Sequence, residues 1–369
     1  MARYLQAPGL YATMRIQGAD AKWRILSVRE CGGMAADGGQ TRMRILVTGG
    51  AGYIGSIATR MLCDAGHEVI VLDSLERGHR RAVDDRATLV VAAVGDGEVL
   101  DSILPGIDAV LHFAGYIDVA EAHEDPDLYY RKNLAEPSMM LDRMTTTGVR
   151  NLVFSSTAAV YGDQERMPIT EDAHAHPVDS HGASKLACGR VNESTANSGL
   201  LHAVRFRYFN AAGAWPDGSL GEAHGPENHI VPRVLAAAGN PDVVFRLNGT
   251  DYPTPDGTCV RDYIHVLDLA DAHVRAVDYL CEGGDSLVCN LGSGQGYSNR
   301  EVVEVCAEVT GREVRVEEGP PRAGDVPTLI ASNSRARQVL GWTPSRELRT
   351  IVEDAWRWHR LHPDGYGDR

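Results

Sequence analysis

Two short stretches of the sequence carry side chains that can move a proton. Residues 154–162 (FSSTAAVYG) end an apolar run with three hydroxyl side chains, the last of them Thr157. Residues 180–185 (SHGASK) place His181 four positions before Lys185. An imidazole can accept a proton near neutral pH without first losing one, whereas a neighbouring ammonium disfavours the imidazolium that must form. The two stretches therefore carry side-chain types that are suited to acid–base chemistry.

A third stretch has the composition of a phosphate-binding turn. Residues 48–55 (TGGAGYIG) lie between an apolar run and a helix-like segment, with glycines spaced G-x-x-G-x-x-G. Such glycines let the backbone approach a pyrophosphate, whose charge meets the helix N-terminus. Asp73 ends the next apolar run, 18 residues beyond Gly55, where a carboxylate accepts a ribose 2′-hydroxyl and repels a 2′-phosphate. The pattern favours NAD over NADP, although Arg77 nearby leaves the second choice open.

The elements that must position these stretches alternate along the chain. From Met43 onward, short apolar runs are separated by segments with helical spacing, as far as about Tyr208. Apolar runs of this kind are typical of strands buried on both faces, which predicts an α/β fold with a doubly wound parallel sheet (Rossmann). Residues 43–207 are predicted to form the NAD-binding domain, and residues 208–369 a smaller α/β substrate domain. Residues 1–42 are interpreted as a disordered extension or an over-long start.

Composition narrows the function classes. The 369 residues carry 50 acidic against 36 basic side chains, a formal charge of −14, so a nucleic-acid footprint is not expected. No apolar run is long enough to predict a membrane span. The seven cysteines are scattered without a C-x-x-C pair, which predicts reduced, mostly buried thiols in a cytoplasmic protein. His174, His176 and His181 lack a carboxylate at helical spacing, so no metal site is predicted.

Strings along the whole chain from Met43 resemble the UDP-glucose 4-epimerase family, within the extended short-chain dehydrogenase/reductases. They are residues 43–55 (MRILVTGGAGYIG), 112–115 (HFAG), 207–210 (RYFN), 251–254 (DYPT), 260–266 (VRDYIHV), 290–294 (NLGSG) and 322–325 (RAGD). The resemblance implies that bound NAD⁺ accepts hydride from C4 of a UDP-sugar, that the 4-keto sugar turns over, and that hydride returns to its other face. It also implies a homodimer formed through helices of the first domain.

The resemblance also assigns site residues. It implies catalysis by Thr157, Lys185 and the residue at position 181. Cofactor binding is implied for Gly49, Gly52, Tyr53, Ile54, Gly55, Asp73, Phe113, Ala114, Gly115, Asn133, Lys185 and Tyr208. UDP-sugar binding is implied for Thr157, Asn210, His229, Arg261, Arg322 and Asp325.

The main departure from the family pattern is at the base itself. The family has Tyr four residues before the Lys, and this chain has His181. Three interpretations stay open: an epimerase with a His base, an enzyme that uses another group, and a sugar-nucleotide binder with little turnover. Two alanines follow Thr157 where 4,6-dehydratases carry an acid–base pair, so dehydration is disfavoured. Leu329, where some relatives have Tyr, makes UDP-GlcNAc an alternative substrate.

A second departure concerns the cofactor. The family often carries a Lys near the pyrophosphate, where this chain has Ile117 beside Asp118. An acid near the adenine is replaced by Ala93. Both changes predict somewhat weaker cofactor retention.

Overall fold

The computed structural model describes Leu10–Ile16, Trp23–Glu30, 42–322 and 325–368. In chain order, the elements up to residue 197 are β1 (Leu10–Ile16), β2 (Trp23–Glu30), β3 (Arg44–Thr48), α1 (Tyr53–Asp64), β4 (Glu68–Asp73), β5 (Thr88–Val91), α2 (Gly97–Ile103), β6 (Ala109–His112), α3 (Val119–Glu124), α4 (Pro126–Tyr130), α5 (Glu136–Thr147), β7 (Asn151–Thr157) and α6 (Ser180–Asn197). They are followed by β8 (His202–Tyr208), β9 (Asn210–Ala212), α7 (Ile230–Gly239), β10 (Phe245–Asn248), β11 (Val260–Arg261), β12 (Tyr263–His265), α8 (Val266–Cys281), β13 (Leu287–Leu291), β14 (Tyr297–Ser298), α9 (Asn299–Thr310), β15 (Val316–Gly319), β16 (Thr328–Leu329), α10 (Ser334–Leu340) and α11 (Leu348–Leu361).

The segment predicted as a disordered extension, residues 1–42, contains two described strands. β1 and β2 pair antiparallel, with a register irregularity between Ala12 and Met14. Their sequences explain the pairing, because apolar residues alternate through β1 (LYATMRI) in the two-residue period of a strand. This alternation was not weighed at the level of sequence, and the interpretation of residues 1–42 as a disordered extension or an over-long start stays a prediction. The other residues of that segment, except Arg42, lie outside the described residues. The chain divides after Met43.

A parallel sheet forms the centre of the unit that begins at Arg44. Within residues 42–322, seven strands pair in the order β13-β8-β7-β6-β3-β4-β5, and each pair is parallel. The apolar side chains of β3 and β6 are fully buried, as expected for strands covered by helices on both faces. The doubly wound α/β prediction is confirmed.

The strand order sets the place of a binding site. From β3 the chain builds outward through β4 and β5, and it then returns to add β6, β7 and β8 on the other side. The loops that leave β3 and β6 therefore diverge at the carboxyl edge of the sheet. In open α/β sheets, ligands bind in the crevice at this switch point.

The second half of the chain adds short sheets and helices over that edge. β9 pairs with β12, β10 with β15, and β11 lies between β14 and β16. A core cluster packs α7, α9 and α11 around Phe245, Ile351 and Val352. Residues 44–369 form one compact unit, so the two predicted domains pack as a single body.

Two sequence-based expectations can be compared with these elements. None of the helices in the described ranges is long and apolar enough to cross a lipid bilayer. The six cysteines of the described ranges form no disulfide, and five of them are buried, which agrees with the predicted reduced thiols. Cys31 lies outside the described residues.

Three histidines are buried around the sheet in their neutral form. Burial lowers the pKa of His112 to about 3, and the charge of Lys185 adds to this effect. Burial also lowers the pKa of His273 to about 4 and, together with Lys185, that of His181 to about 4. In the unfolded chain all three would titrate near about 6.5. The folded state therefore binds fewer protons than the unfolded state in mild acid.

We expect this difference to make the fold acid-sensitive. Well above about pH 6.5 these histidines are neutral in both the folded and the unfolded chain, so their burial does not make the unfolding free energy depend on pH. Below that pH the unfolded chain takes up protons and the unfolding free energy falls. Three protons correspond to a loss of roughly 4 kcal/mol in unfolding free energy per pH unit, approached between about pH 6 and 4.5. Urea unfolding at several pH values measures this slope. His273→Gln should lower it by about a third, whereas the exposed-site control His174→Gln should not; equal slopes in both variants would contradict the argument.

Candidate active site

A cleft of about 680 Å³ opens at the carboxyl edge of the sheet. Its lining includes the loops that leave β3, β6 and β7, the start of α6, and residues 221–232. Of the predicted site residues, the cleft brings together Gly49, Gly52, Tyr53, Ile54, Gly55, Asp73, Phe113, Ala114, Gly115, Thr157, His181, Lys185, Tyr208, Asn210, His229 and Arg322. Asn133, Arg261 and Asp325 do not line it.

The glycine loop between β3 and α1 has no room for side chains. Gly49 has a φ of +73°, and a Cβ there would lie 2.4 Å from the backbone nitrogen of Ala114. A Cβ on Gly55 would lie 2.2 Å from the Gly49 carbonyl oxygen. The N-cap of α1 is Gly52, which offers no capping side chain, and the first turn has no acidic residue. The loop and the uncapped helix start together form a cradle for a diphosphate.

Asp73 closes one end of this cradle. Its carboxylate accepts a hydrogen bond from the Ala51 backbone at 3.0 Å, and burial raises its pKa above the usual range. The Arg77 guanidinium, which could have met a 2′-phosphate, pairs with Glu121 and stacks 4.8 Å above the Tyr116 ring. Because Arg77 is already engaged, the arrangement favours a dinucleotide with a free 2′-hydroxyl.

The loop after β6 is fixed from behind by Asn133. Its Oδ1 accepts from the Tyr116 backbone nitrogen at 2.8 Å, and its Nδ2 donates to the Tyr116 carbonyl at 3.0 Å. Asn133 is fully buried, so it holds the loop rather than facing the cleft. Gly115 is required beside it, since a Cβ there would lie 2.7 Å from Lys185 Nζ.

His181 is held as one tautomer. Its Nδ1 lies 2.9 Å from the Tyr116 carbonyl oxygen, which can only accept, so Nδ1 carries the proton and Nε2 carries the lone pair. None of the hydrogen bonds among the described residues engages Nε2. The side chain lies in the cleft wall with 6% of its surface exposed. Because its pKa is low, the imidazole is a neutral acceptor at neutral pH.

Lys185 and Thr157 lie on the elements that flank His181. Lys185 Nζ donates to the Ser155 carbonyl oxygen at 3.2 Å, and burial lowers the pKa of this lysine to about 8. Thr157 ends β7, where its hydroxyl accepts from the Ala159 backbone at 3.2 Å. A Cβ on Gly182 would lie 2.6 Å from the Ala159 carbonyl oxygen, so this glycine lets α6 start against the turn after β7.

No tyrosine of the described cleft replaces the missing phenol. Burial is the first cause that raises the pKa of each tyrosine lining the cleft, and it brings those of Tyr208 and Tyr366 to about 12. The same direction holds for Tyr53, Tyr116 and Tyr263. These tyrosines are therefore poor bases at neutral pH, whereas the neutral His181 imidazole can accept a proton there, and so can Lys185 as its pKa of about 8 is approached.

The predicted UDP-sugar residues divide into two groups. Arg322 lies in the cleft, where the Asn248 amide, turned with its oxygen towards the guanidinium, accepts bonds of 2.9 and 3.0 Å. Asn210 also lines the cleft. Arg261 and Asp325 instead face each other at 3.9 Å outside the lining, and the Arg261 guanidinium donates to the Val260 carbonyl oxygen at 3.0 Å.

Two contacts of the cleft were missed by the sequence reasoning. One is the Tyr116 carbonyl, which orients His181 across a separation of 65 residues. The other joins Asn228 Nδ2 to Asp118 Oδ2 at 2.5 Å, and so links the two sides of the cleft near the position where the family carries a Lys. Neither contact has a local sequence signal, because both depend on how distant loops meet.

Comparisons with known proteins agree with this geometry. Residues 45–292 match the model of the NAD dependent epimerase/dehydratase family. The UDP-glucose 4-epimerase of Lacticaseibacillus casei is 46% identical over 330 residues, which cover 89% of this chain and 100% of that protein. A Brucella ovis UDP-glucose 4-epimerase solved with NAD has a TM-score of 0.82 at 42% identity, covering 86% of this chain and 98% of that one. The Stenotrophomonas maltophila enzyme, solved with NAD and formylated UDP-arabinopyranose, has a TM-score of 0.85 at 37% identity, covering 87% and 99%.

The glycine cradle can be tested by adding one methyl group. Gly55→Ala places a Cβ against the Gly49 carbonyl, so we expect NAD affinity to fall at least tenfold, about 1.4 kcal/mol. The matched control is Gly189→Ala in α6, where a Cβ meets nothing within 4 Å. Calorimetric titration of cofactor-stripped protein measures both. Unchanged affinity in Gly55→Ala would mean that the loop does not approach the diphosphate.

Proposed function

Because this chain belongs to the NAD dependent epimerase/dehydratase family and its relatives are UDP-glucose 4-epimerases, we propose that it interconverts UDP-glucose and UDP-galactose. The observation that carries the proposal is the His181 imidazole, held as the Nδ1–H tautomer in the cleft that contains the glycine cradle. This arrangement leaves Nε2 to take a proton from a sugar hydroxyl.

NAD fits the residues that are present. The glycine loop and the start of α1 would hold its diphosphate, Asp73 its adenosine ribose, and Lys185 its nicotinamide ribose. When bound, NAD supplies the reversible acceptance of hydride from C4. The protein must supply the acid–base chemistry at the C4 hydroxyl and an orientation of the sugar that allows turnover.

The proton passes through His181 in both directions. Nε2 accepts the C4 hydroxyl proton during oxidation and returns it to the C4 oxygen after the keto sugar has turned over. Thr157 is proposed to hydrogen-bond the same oxygen. Between these two steps the ring is an imidazolium, and its Nδ1–H still donates to the Tyr116 carbonyl oxygen. This hydrogen bond is stronger when the ring is charged, so it partly offsets the repulsion from Lys185.

With a pKa of about 4, the His181 imidazole is unprotonated at neutral pH but is a weak base. Proton transfer from an alcohol gains driving force as the base becomes stronger, so the oxidation step should be slow. Lys185 is the second candidate base, since a pKa of about 8 leaves a fraction of the amine neutral at neutral pH. Removal of the imidazole distinguishes the two candidates, because it lowers kcat only if His181 is the base.

The UDP-sugar is proposed to bind through Arg322 and Asn210, which line the cleft. A planar guanidinium matches a diphosphate in geometry and charge. Arg261 and Asp325 remain proposed ligands only if their mutual contact opens. Leu329 packs with the cluster around Tyr161 and Phe209, so its effect on UDP-GlcNAc acceptance would be indirect. A homodimer and a cytoplasmic location stay predictions.

Substitution at His181 tests the base directly. His181→Phe should lower kcat by about 10²-fold or more, the usual contribution of a positioned base, with NAD content unchanged. His181→Tyr should raise kcat, because a phenolate is a stronger base and reaches further. Interconversion of UDP-glucose and UDP-galactose by purified protein measures both. Retention of full activity in His181→Phe would transfer the role to Lys185, and absence of activity in every form would leave a nucleotide binder.

The pH profile separates the two bases independently. His181 acts when neutral, so kcat/KM of the natural chain should fall only as pH approaches about 4. In His181→Tyr the phenol must first ionise from an ordinary pKa of about 10, so the acid limb should move to higher pH. Brief assays measure the limb, and circular dichroism at each pH verifies that the chain is still folded, because the buried histidines also lower its stability in acid. A natural-chain limb near pH 8 would indicate Lys185 instead.

Arg322 tests the substrate side. Arg322→Met should raise the KM for UDP-glucose at least tenfold while NAD content is unchanged, because the guanidinium lines the cleft and is proposed to bind the diphosphate of the sugar nucleotide rather than that of the cofactor. Arg315→Met is the control, since Arg315 is bonded to the Pro241 carbonyl and does not line the cleft. Equal effects of the two substitutions would remove Arg322 from the site. UDP-GlcNAc in the same assay tests the alternative substrate.

A further inference from the structure

A group of ligand-type side chains lies in the cleft wall and has no part in the proton transfer described above. Glu222, His224, Glu227 and His229 each offer one nitrogen or oxygen atom, and these atoms all lie within 4.8 Å of one another. They belong to residues 222–229 (EAHGPENH), between β9 and α7. The histidines weighed above as metal ligands, His174, His176 and His181, are not among them.

Four separations within the group can be compared with those of atoms that share one ion. His224 Nδ1 lies 3.1 Å from Glu222 Oε1 and 3.6 Å from Glu227 Oε2. His229 Nδ1 lies 2.5 Å from Glu222 Oε1 and 3.4 Å from Glu227 Oε1. Four ligands placed about 2.0–2.1 Å from a tetrahedral Zn²⁺ are about 3.3 Å apart. The two His224 separations and the one from His229 to Glu227 are within a few tenths of an ångström of that value. His229 Nδ1 and Glu222 Oε1, at 2.5 Å, are at hydrogen-bond distance and would have to move apart for both to bind one ion.

One atom of the group has no satisfactory partner without an ion. His224 Nδ1 is buried and makes no hydrogen bond of good geometry among the described residues, although Glu222 is close. A buried nitrogen without a hydrogen bond is unusual in a folded protein. A lone pair directed at a cation would explain this orientation.

The surrounding structure holds the group in place. Glu222 is 4% exposed, and its carbonyl oxygen accepts from the indole of the fully buried Trp358 in α11 at 2.9 Å. His229 is the N-cap of α7. The His224 ring meets the edge of Tyr53, the first residue of α1, with ring centroids 6.3 Å apart. Metal sites need such outer support to keep their ligands oriented.

We propose that Glu222, His224, Glu227 and His229 bind a divalent transition metal of the Zn²⁺ class. Two imidazoles and two carboxylates are a donor set that Zn²⁺ accepts, and two carboxylates balance its charge. Four protein ligands complete the coordination, which is typical of a structural site and leaves no position for a reacting water. The ion would fix residues 222–229 between α7 and α11. His229 then serves the metal, rather than the UDP-sugar as the resemblance implied.

The test uses the full chain. Protein treated with a chelator and dialysed is titrated with Co²⁺, which gives visible d–d bands when four-coordinate, and elemental analysis follows Zn²⁺ uptake. We expect one equivalent to bind, Zn²⁺ to bleach the Co²⁺ bands, and either metal to raise the melting temperature of the stripped protein. Absence of the bands and of stoichiometric uptake would show that the group is an ion-pair network without metal, and would overturn the proposal.

Two variants and one control make the result specific. His224→Asn and Glu227→Gln each remove one ligand, so Co²⁺ affinity should fall by at least the 10–100-fold that loss of an outer-shell partner costs. The control replaces a different pair of histidines, His174 and His176, whose ring centroids are 6.4 Å apart. This control should bind Co²⁺ like the natural chain. NAD content and melting temperature verify folding. Loss of binding in the control alone would indicate adventitious metal and would refute the site.

Discussion

The hydrogen bond from His181 Nδ1 to the Tyr116 carbonyl decides what the cleft can do. Because the carbonyl cannot donate, the bond fixes the tautomer and leaves Nε2 as the proton acceptor. The carbonyl is itself fixed, since the buried Asn133 holds the Tyr116 backbone from both its nitrogen and its oxygen. Without this rigid loop the imidazole could rotate about its χ2 bond. It would then present its N–H, instead of the Nε2 lone pair, to the substrate.

The environment that makes His181 available also limits it. Burial beside Lys185 keeps the ring neutral at physiological pH, and the same burial opposes the imidazolium that proton transfer creates. His112 and His273 are also buried, and Lys185 acts on His112 as well, so protonation of these rings in acid opposes the folded state. For a phenol at position 181 the effect of Lys185 would be reversed. Desolvation would still oppose the charged form, but the ammonium would stabilise a phenolate. The substitution therefore changes which protonation state the cleft stabilises.

The parts of the site that follow strands could be predicted from sequence. The glycine spacing, Asp73 and the hydroxyls of β7 are local signals, because a turn or a strand end determines where their atoms lie. The role of Asn133 could not be predicted, since it follows from a bond to a loop 17 residues away. The mutual contact of Arg261 and Asp325 likewise depends on how β11 pairs with β16. β1 was missed for another reason: its alternating pattern was present and was not weighed.

Charge balance explains why so acidic a chain can hold anionic nucleotides. With a formal charge of −14 the overall field repels a dinucleotide and a UDP-sugar, so binding depends on local cations and dipoles. Glu222 and Glu227 add two carboxylates to the cleft wall. Burial alone would lower the pKa of His229, but Glu222 and Glu227 together outweigh it and raise that pKa to about 10. A bound divalent cation would neutralise the same carboxylates in place of the imidazolium protons. With either the imidazolium protons or a metal ion, these four side chains together carry little net charge. Lys185, Arg322 and the start of α1 are then left to attract the phosphates.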